Sequence, residues 1–164
     1  MTDDIKITQI ENPLECYFAE MSISDEVKAK YNRTDFLILP DKNEEHGYVF
    51  QSESIDFIKY CRLSDGNYTY DIITNSEPNI PTLAFHSIDI LMPIIYVAGP
   101  LMLQVAVNLI SNYIWDKIKG REDKEHNIQL TIIVNDGDQS IKIQYEGDAK
   151  TFSEKFADIN LDKL

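Results

Sequence analysis

The sequence predicts an α+β fold, and three features of it carry that expectation. The run from Ile90 to Trp115 is 26 residues without a charge, in a chain with 28 acidic and 15 basic side chains. Short apolar and alternating segments precede it, and two alternating segments around an Asp-Gly step, then a spaced aromatic pattern, follow it. Together these give a sheet-rich N-terminal half, a central apolar helix or kinked helix pair, and a C-terminal ββα unit. At 164 residues the chain has room for one cooperative domain or two small ones. Its segments are an acidic strand-rich region over 1–80, an apolar helical segment over 81–120 and a ββα module over 121–164.

In chain order, residues 5–10 (IKITQI) alternate and read as a strand. Residues 14–23 mix aromatic and aliphatic side chains and read as a second. Ser24 before Asp25 and Glu26 is an N-cap with acidic first-turn residues, which predicts a short helix over 25–31. The apolar block 36–39 is a strand stopped by Pro40, and 41–47 reads as a polar loop. Residues 48–50, 55–63 and 68–74 read as strands, the last two joined in a hairpin through Ser64-Asp65-Gly66-Asn67. Residues 75–81, with two prolines, read as a linker.

Pro93 and the Gly99-Pro100 pair divide the uncharged run. Proline fits the first turn of a helix, so the main helix is expected over 100–119, closed by Gly120. A shorter apolar helix is expected over 87–98, kinked at Pro93. On the main helix Gln104, Asn108, Ser111 and Asn112 form one polar stripe ending at Trp115. A helix apolar around most of its circumference belongs in a core, in an oligomer interface or in lipid. The charged linker 117–126 leads to strands over 127–134 and 140–145, turned at Asp136-Gly137. Asp148 caps a last helix bearing Phe152, Phe156 and Ile159 on one face.

Charge and motif content narrow the function classes. The net charge is -13, with -10 of it in residues 1–89, and no basic patch offsets it, which argues against nucleic-acid binding. Cys16 and Cys61 are too few for a disulfide scaffold and fit a reducing cytoplasm. The opening MTDDIKITQI lacks the basic and apolar parts of a secretory signal, and the wealth of Ile, Lys and Asn suggests a bacterial source. The histidines 46, 86 and 126 have no partner at a metal-ligand spacing, and Glu44-Glu45-His46 reads as a solvated loop. No nucleophile motif and no phosphate-cradling glycine loop is present. Cys61 beside Arg62 admits two readings, a thiol of lowered pKa or a small buried apolar residue; the second accounts for its apolar setting. No catalytic residue, cofactor or metal is expected, and the chain reads as a non-enzyme.

The helix ending LISNYIWDKIK, its charged linker, and the hairpin ending IKIQYEGDAKTFSEKF resemble small effector-associated accessory proteins of bacterial conflict and antiphage systems. The resemblance spans about residues 88–160. It implies a non-enzymatic partner or oligomerisation component beside a separate effector. The expected function is accordingly a non-catalytic protein-interaction component with a protein partner or a second copy of itself. Its interaction residues would be Gln104, Asn108, Ser111, Asn112 and Trp115. The alternatives are an acidic immunity protein that neutralises a basic toxin, and a membrane-perturbing effector that inserts residues 88–115. A cytoplasmic location follows from the first two and a membrane-associated one from the third. By length the uncharged run is sufficient to span a bilayer, which takes ~20 apolar residues.

Overall fold

The computed structural model describes residues 4–43, 45, 47–74, 90–137 and 139–157. The elements are β1 (Asp4–Glu11), α1 (Leu14–Glu20), α2 (Asp25–Asn32), β2 (Phe36–Leu39), β3 (Asp41–Asn43), β4 (Gly47–Val49), α3 (Ser54–Ser64) and β5 (Tyr70–Ile72). They continue with β6 (Ile90–Val97), α4 (Pro100–Ile118), β7 (Asn127–Asp136), β8 (Gln139–Asp148), a 3-10 turn (Ala149–Thr151) and α5 (Phe152–Ala157). Six strands form one mixed sheet in the order β1-β8-β7-β6-β2-β5, and β3 and β4 pair separately. The fold is α+β, and the one sheet draws strands from the beginning, middle and end of the chain. The parallel step from β6 to β7 needs a crossover, and α4 supplies it.

Side-chain alternation divides the sheet into two faces. One carries Phe36, Ile38, Ile95, Val97, Leu130, Ile132, Ile143 and Tyr145, all buried in a cluster with α3, α4 and α5. The other carries Leu37, Leu39, Ile73, Tyr96 and Ile133, which bury against Leu14, Phe18 and Tyr31 of α1 and α2. The second pair of helices leaves the β1–β8–β7 part of that face uncovered. There β7 keeps a polar outer row, with Gln129 exposed and Thr131 half-buried between buried neighbours.

Residues 90–97 are a strand where a helix was expected over 87–98; residues 87–89 lie outside the described residues. β6 is covered on both faces, so it reads as a continuous apolar run without alternation, and such a run does not declare its period. Pro93 is accommodated because the β6–β7 register shifts between Leu91 and Ile94, and pairing with β2 reaches only to Ile94. No ladder bond is asked of the missing N–H. The Leu91 carbonyl instead accepts from the Glu53 amide at 3.2 Å.

Two further strand assignments, one hairpin and one loop are corrected. Residues 14–20 are helix α1, and 54–64 are helix α3, whose buried Ser54, Phe57, Ile58 and Cys61 recur at helical spacing. The Ser64–Asn67 segment is therefore no hairpin, because β5 runs parallel to β2 and does not pair with the preceding segment. The loop expected over 41–47 contains β3, which pairs with β4, and β4 itself falls mainly on the strand expected over 48–50. The linker 75–81 and Ile159 lie outside the described residues.

The local signals at element ends hold. Ser24 Oγ accepts from the Val27 amide at 3.3 Å, and Asp148 Oδ1 from the Lys150 amide at 3.0 Å, capping the 3-10 turn that leads into α5 and not α5 itself. Gly120 and Gly137 adopt φ of 84° and 73°. Phe152 and Phe156 are buried with centroids 4.5 Å apart.

The β5 edge of the sheet is sealed by side chains. Odd-numbered β5 positions bond β2, as in Ile73 N–H to Ile38 O at 2.9 Å, so the groups of Tyr70 and Ile72 face outward. Asp71 Oδ1 accepts from the Ile72 amide at 2.8 Å. Arg62 Nη2 donates to Tyr70 O at 3.0 Å, and the Tyr31 hydroxyl to Ile72 O at 3.0 Å. Occupying an edge's outward groups removes a template for stray strand pairing.

Candidate interaction surface

Helix α4 begins at Pro100 because its fixed φ suits the first turn and Gly99 precedes it in extended backbone. Its inner face buries Ala106, Val107, Leu109, Ile110, Tyr113, Ile114 and Ile118. Its outer face is then dictated by the 3.6-residue period. It presents Leu101, 87% exposed, then Gln104, Asn108 and Asn112, and then Trp115, 52% exposed. Gln104 Nε2 donates to Asn108 Oδ1 at 3.2 Å, an i,i+4 pair along the stripe. Ser111 is half-buried and turned toward α5, where it accepts from Ser153 Oγ at 2.6 Å. The structure thus brings Gln104, Asn108, Asn112 and Trp115 onto one outer stripe and assigns Ser111 to helix packing. From Leu101 to Trp115 the stripe rises ~21 Å without a charge.

What fixes this orientation is a polar knot at the other side of the helix. Tyr113 Oη donates to Glu53 Oε1 at 2.7 Å, and Lys117 Nζ pairs with the same oxygen at 2.9 Å. The Tyr113 ring meets Phe57 and Tyr60 edge-on at 5.2 and 5.3 Å, and Lys117 lies 5.5 Å from its centroid. Burial, and then the bond to Glu53, raise the Tyr113 pKa, so the hydroxyl stays a donor through neutral pH.

Among the described residues the large apolar side chains left exposed are Ile55, Leu63, Leu101 and Trp115, all on α3 or α4. Reading 55–63 as a strand hid the first two. Leu101 was legible only as part of an apolar helix, because the exposure of its first turn depends on where the helix leaves the sheet.

The other candidate roles resolve plainly. The uncharged run is divided between an interior strand and α4, and no helix among the described residues is long and apolar enough to cross a membrane. Cys61 is buried among apolar side chains, and burial pushes its pKa up to about 12, the setting of a packing residue. His126 is buried, with Nε2 2.9 Å from Arg121 O, and serves the α4–β7 connection. His46 and His86 lie outside the described residues.

A concavity lies on the opposite face of the sheet, where α1 and α2 leave β1, β8 and β7 uncovered. It has a volume of about 610 Å³, with Lys6, Lys142, Gln144 and Thr131 on its floor and Tyr17 and Asp41 on its wall. No sequence signal announced it, because it exists only through strand order. No protein family, curated protein or solved structure matches this chain.

Proposed function

We propose that the chain is a non-catalytic protein-interaction component that docks a helix of a partner protein on the outer stripe of α4. The observation that carries this reading is the bracketing of three adjacent amide residues by exposed Leu101 and Trp115. Exposed tryptophan anchors are disproportionately strong at interfaces, and amides between apolar anchors fix register. The partner is a second copy of the chain or an effector beside which it works. The stripe carries no charge, so the affinity it supplies is expected to vary little with salt.

The test compares the parent with the Leu101→Glu/Trp115→Glu variant by sedimentation velocity over a range of concentration. It is joined to photocrosslinking from position 112 in the native host. A parent dimer that the variant loses supports self-assembly. A monomeric parent with one reproducible crosslinked protein supports a separate partner. A monomeric parent with no crosslinked product overturns the reading.

The net charge of -13 favours a second reading, an acidic inhibitor of a basic toxin. Its association would slow steeply with salt, since exposed charges are screened beyond ~8 Å at physiological ionic strength. A salt-insensitive complex would reject it.

A further inference from the structure

The half of the second sheet face that no described helix covers holds an unusual arrangement of charge. Lys6 on β1 stands opposite Gln144 on β8, and Lys142 on β8 stands opposite Thr8 on β1. The two lysines are therefore diagonal cross-strand neighbours on one face, with ~7–8 Å between their backbones. Like charges so placed repel. A chain with 28 acidic residues has ample means to neutralise them, and Lys28, Lys30, Lys42, Lys117 and Lys119 all make ion pairs. Among the described side chains Lys6 and Lys142 make none, as is also true of Lys59, Lys124 and Lys155, but only Lys6 and Lys142 of these line the groove side by side.

Two acids share the groove: Glu146 is the other diagonal neighbour of Lys6, and Asp41 stands on the wall, and each accepts from a glutamine amide without an ion pair to either lysine. Gln129 Nε2 donates to Glu146 Oε1 at 3.2 Å, and Gln51 Nε2 to Asp41 Oδ2 at 3.3 Å. The charged donors left without an ion pair there are the two ammonium groups. Beside them Gln144 and Thr131 add neutral hydrogen-bonding capacity, and Ile94 an apolar strip, on the same floor. Small-molecule sites are concavities of several hundred Å³ in which a few placed polar groups fix the ligand's orientation.

From this juxtaposition we propose that the groove binds a small organic anion, its carboxylate or phosphate group held between Lys6 and Lys142 and its polar body against Gln144 and Thr131. A small ligand fits better than an acidic macromolecule, because the protein's own charge of -13 repels an extended polyanion over its whole length. Two unpaired ammonium groups attract a compact anion at short range, where the net field matters less. The groove and α4 lie on opposite faces of the sheet, so this inference stands apart from the docking of a partner on α4.

The test is an amide-shift titration of the full chain with citrate and, separately, with inorganic phosphate, ionic strength held constant with sodium chloride. The expected result is saturable shifts at Lys6, Thr8, Thr131, Lys142 and Gln144 with at least one of them. Saturation by citrate alone assigns a carboxylate ligand, and by phosphate alone a phosphate ligand. In Lys6→Gln/Lys142→Gln the affinity is expected to fall about tenfold or more through loss of two charge-assisted contacts. The Lys6→Arg/Lys142→Arg variant keeps the charge and should keep binding, which separates loss of the site from loss of the fold. No saturable shift with either anion, or equal affinity in the glutamine variant, overturns the proposal.

Discussion

The Tyr113 hydroxyl donates to Glu53 Oε1 across 60 residues of sequence, at 2.7 Å, and joins the C-terminal half of α4 to the start of α3. Lys117 pairs with the same oxygen, so one carboxylate orients the helix whose outer stripe is the candidate interaction surface. Replacing Tyr113 with Phe deletes the donor and leaves Glu53 its lysine, at an expected cost of about 1–2 kcal/mol. Replacing Glu53 with Ala leaves the buried hydroxyl unpaired and should cost more. Urea unfolding of both variants checks the order; a more stable Glu53→Ala would show that the knot does not hold the helix.

The same tyrosine makes stability pH-dependent in the alkaline range. Its folded pKa is raised, chiefly by burial, above the unfolded value of 10.0. The folded chain therefore keeps a proton that the unfolded chain releases. The stabilisation is complete below pH 10 and is lost as pH rises from there toward the folded value. Urea midpoints for the parent are expected to fall above pH 10, and less so in Tyr113→Phe. Parallel curves for the two would remove Tyr113 as the cause.

The two cysteines should differ sharply in labelling. Cys16 is exposed, whereas Cys61 is buried with its pKa pushed up to about 12. A thiol reagent at neutral pH is expected to modify Cys16 within its mixing time and Cys61 only after urea unfolding. Because the unfolded value is 9.0, Cys61 adds stability that is fully present below pH 9 and lost as pH rises toward 12. Rapid native labelling of both residues would contradict the packing of α3 on the sheet.

Gly137 occupies φ 73° with nothing within 4 Å of an added Cβ, so its requirement is backbone conformation and not space. Gly137→Val is expected to cost about 1–3 kcal/mol through strain alone, while Gly137→Asn, which tolerates left-handed backbone, should cost less. Thermal melts of the pair distinguish strain from crowding. An equal cost for both would mean that conformation is not what matters there.

Tyr31 seals the β5 edge by donating to Ile72 O. Tyr31→Phe keeps the stacked contact with Phe18, at 6.2 Å, but uncovers that carbonyl. The expected loss is ~1 kcal/mol, accompanied by concentration-dependent association beyond whatever the parent shows. Static light scattering of the two proteins at matched concentration is the check, and identical scattering would mean that the edge needs no seal.

Signals confined to a few neighbouring residues were legible in the sequence by itself. They include the Ser24 and Asp148 caps, the Gly120 and Gly137 conformations, the Pro100 helix start, the hairpin near Asp136-Gly137 and the α+β class. Each depends on local backbone geometry or on a hydrogen bond within three residues, which the order of amino acids states directly. The outer stripe of Gln104, Asn108, Asn112 and Trp115 was legible for the same reason, since a helical period assigns its residues to one face. Which way that face turns was decided by Tyr113 and Glu53, and Ser111 left the stripe because α5 brought Ser153 to it.

Only tertiary structure decided that 90–97 is an interior strand and 54–64 a helix. An apolar run covered on both faces carries no alternation, and Ile55 to Leu63 satisfies either period until a sheet face is chosen for it. The groove of Lys6 and Lys142 was beyond reach of the sequence altogether. Its two lysines lie 136 residues apart and become neighbours only because β1 pairs with β8 in the register that sets Lys6 against Gln144.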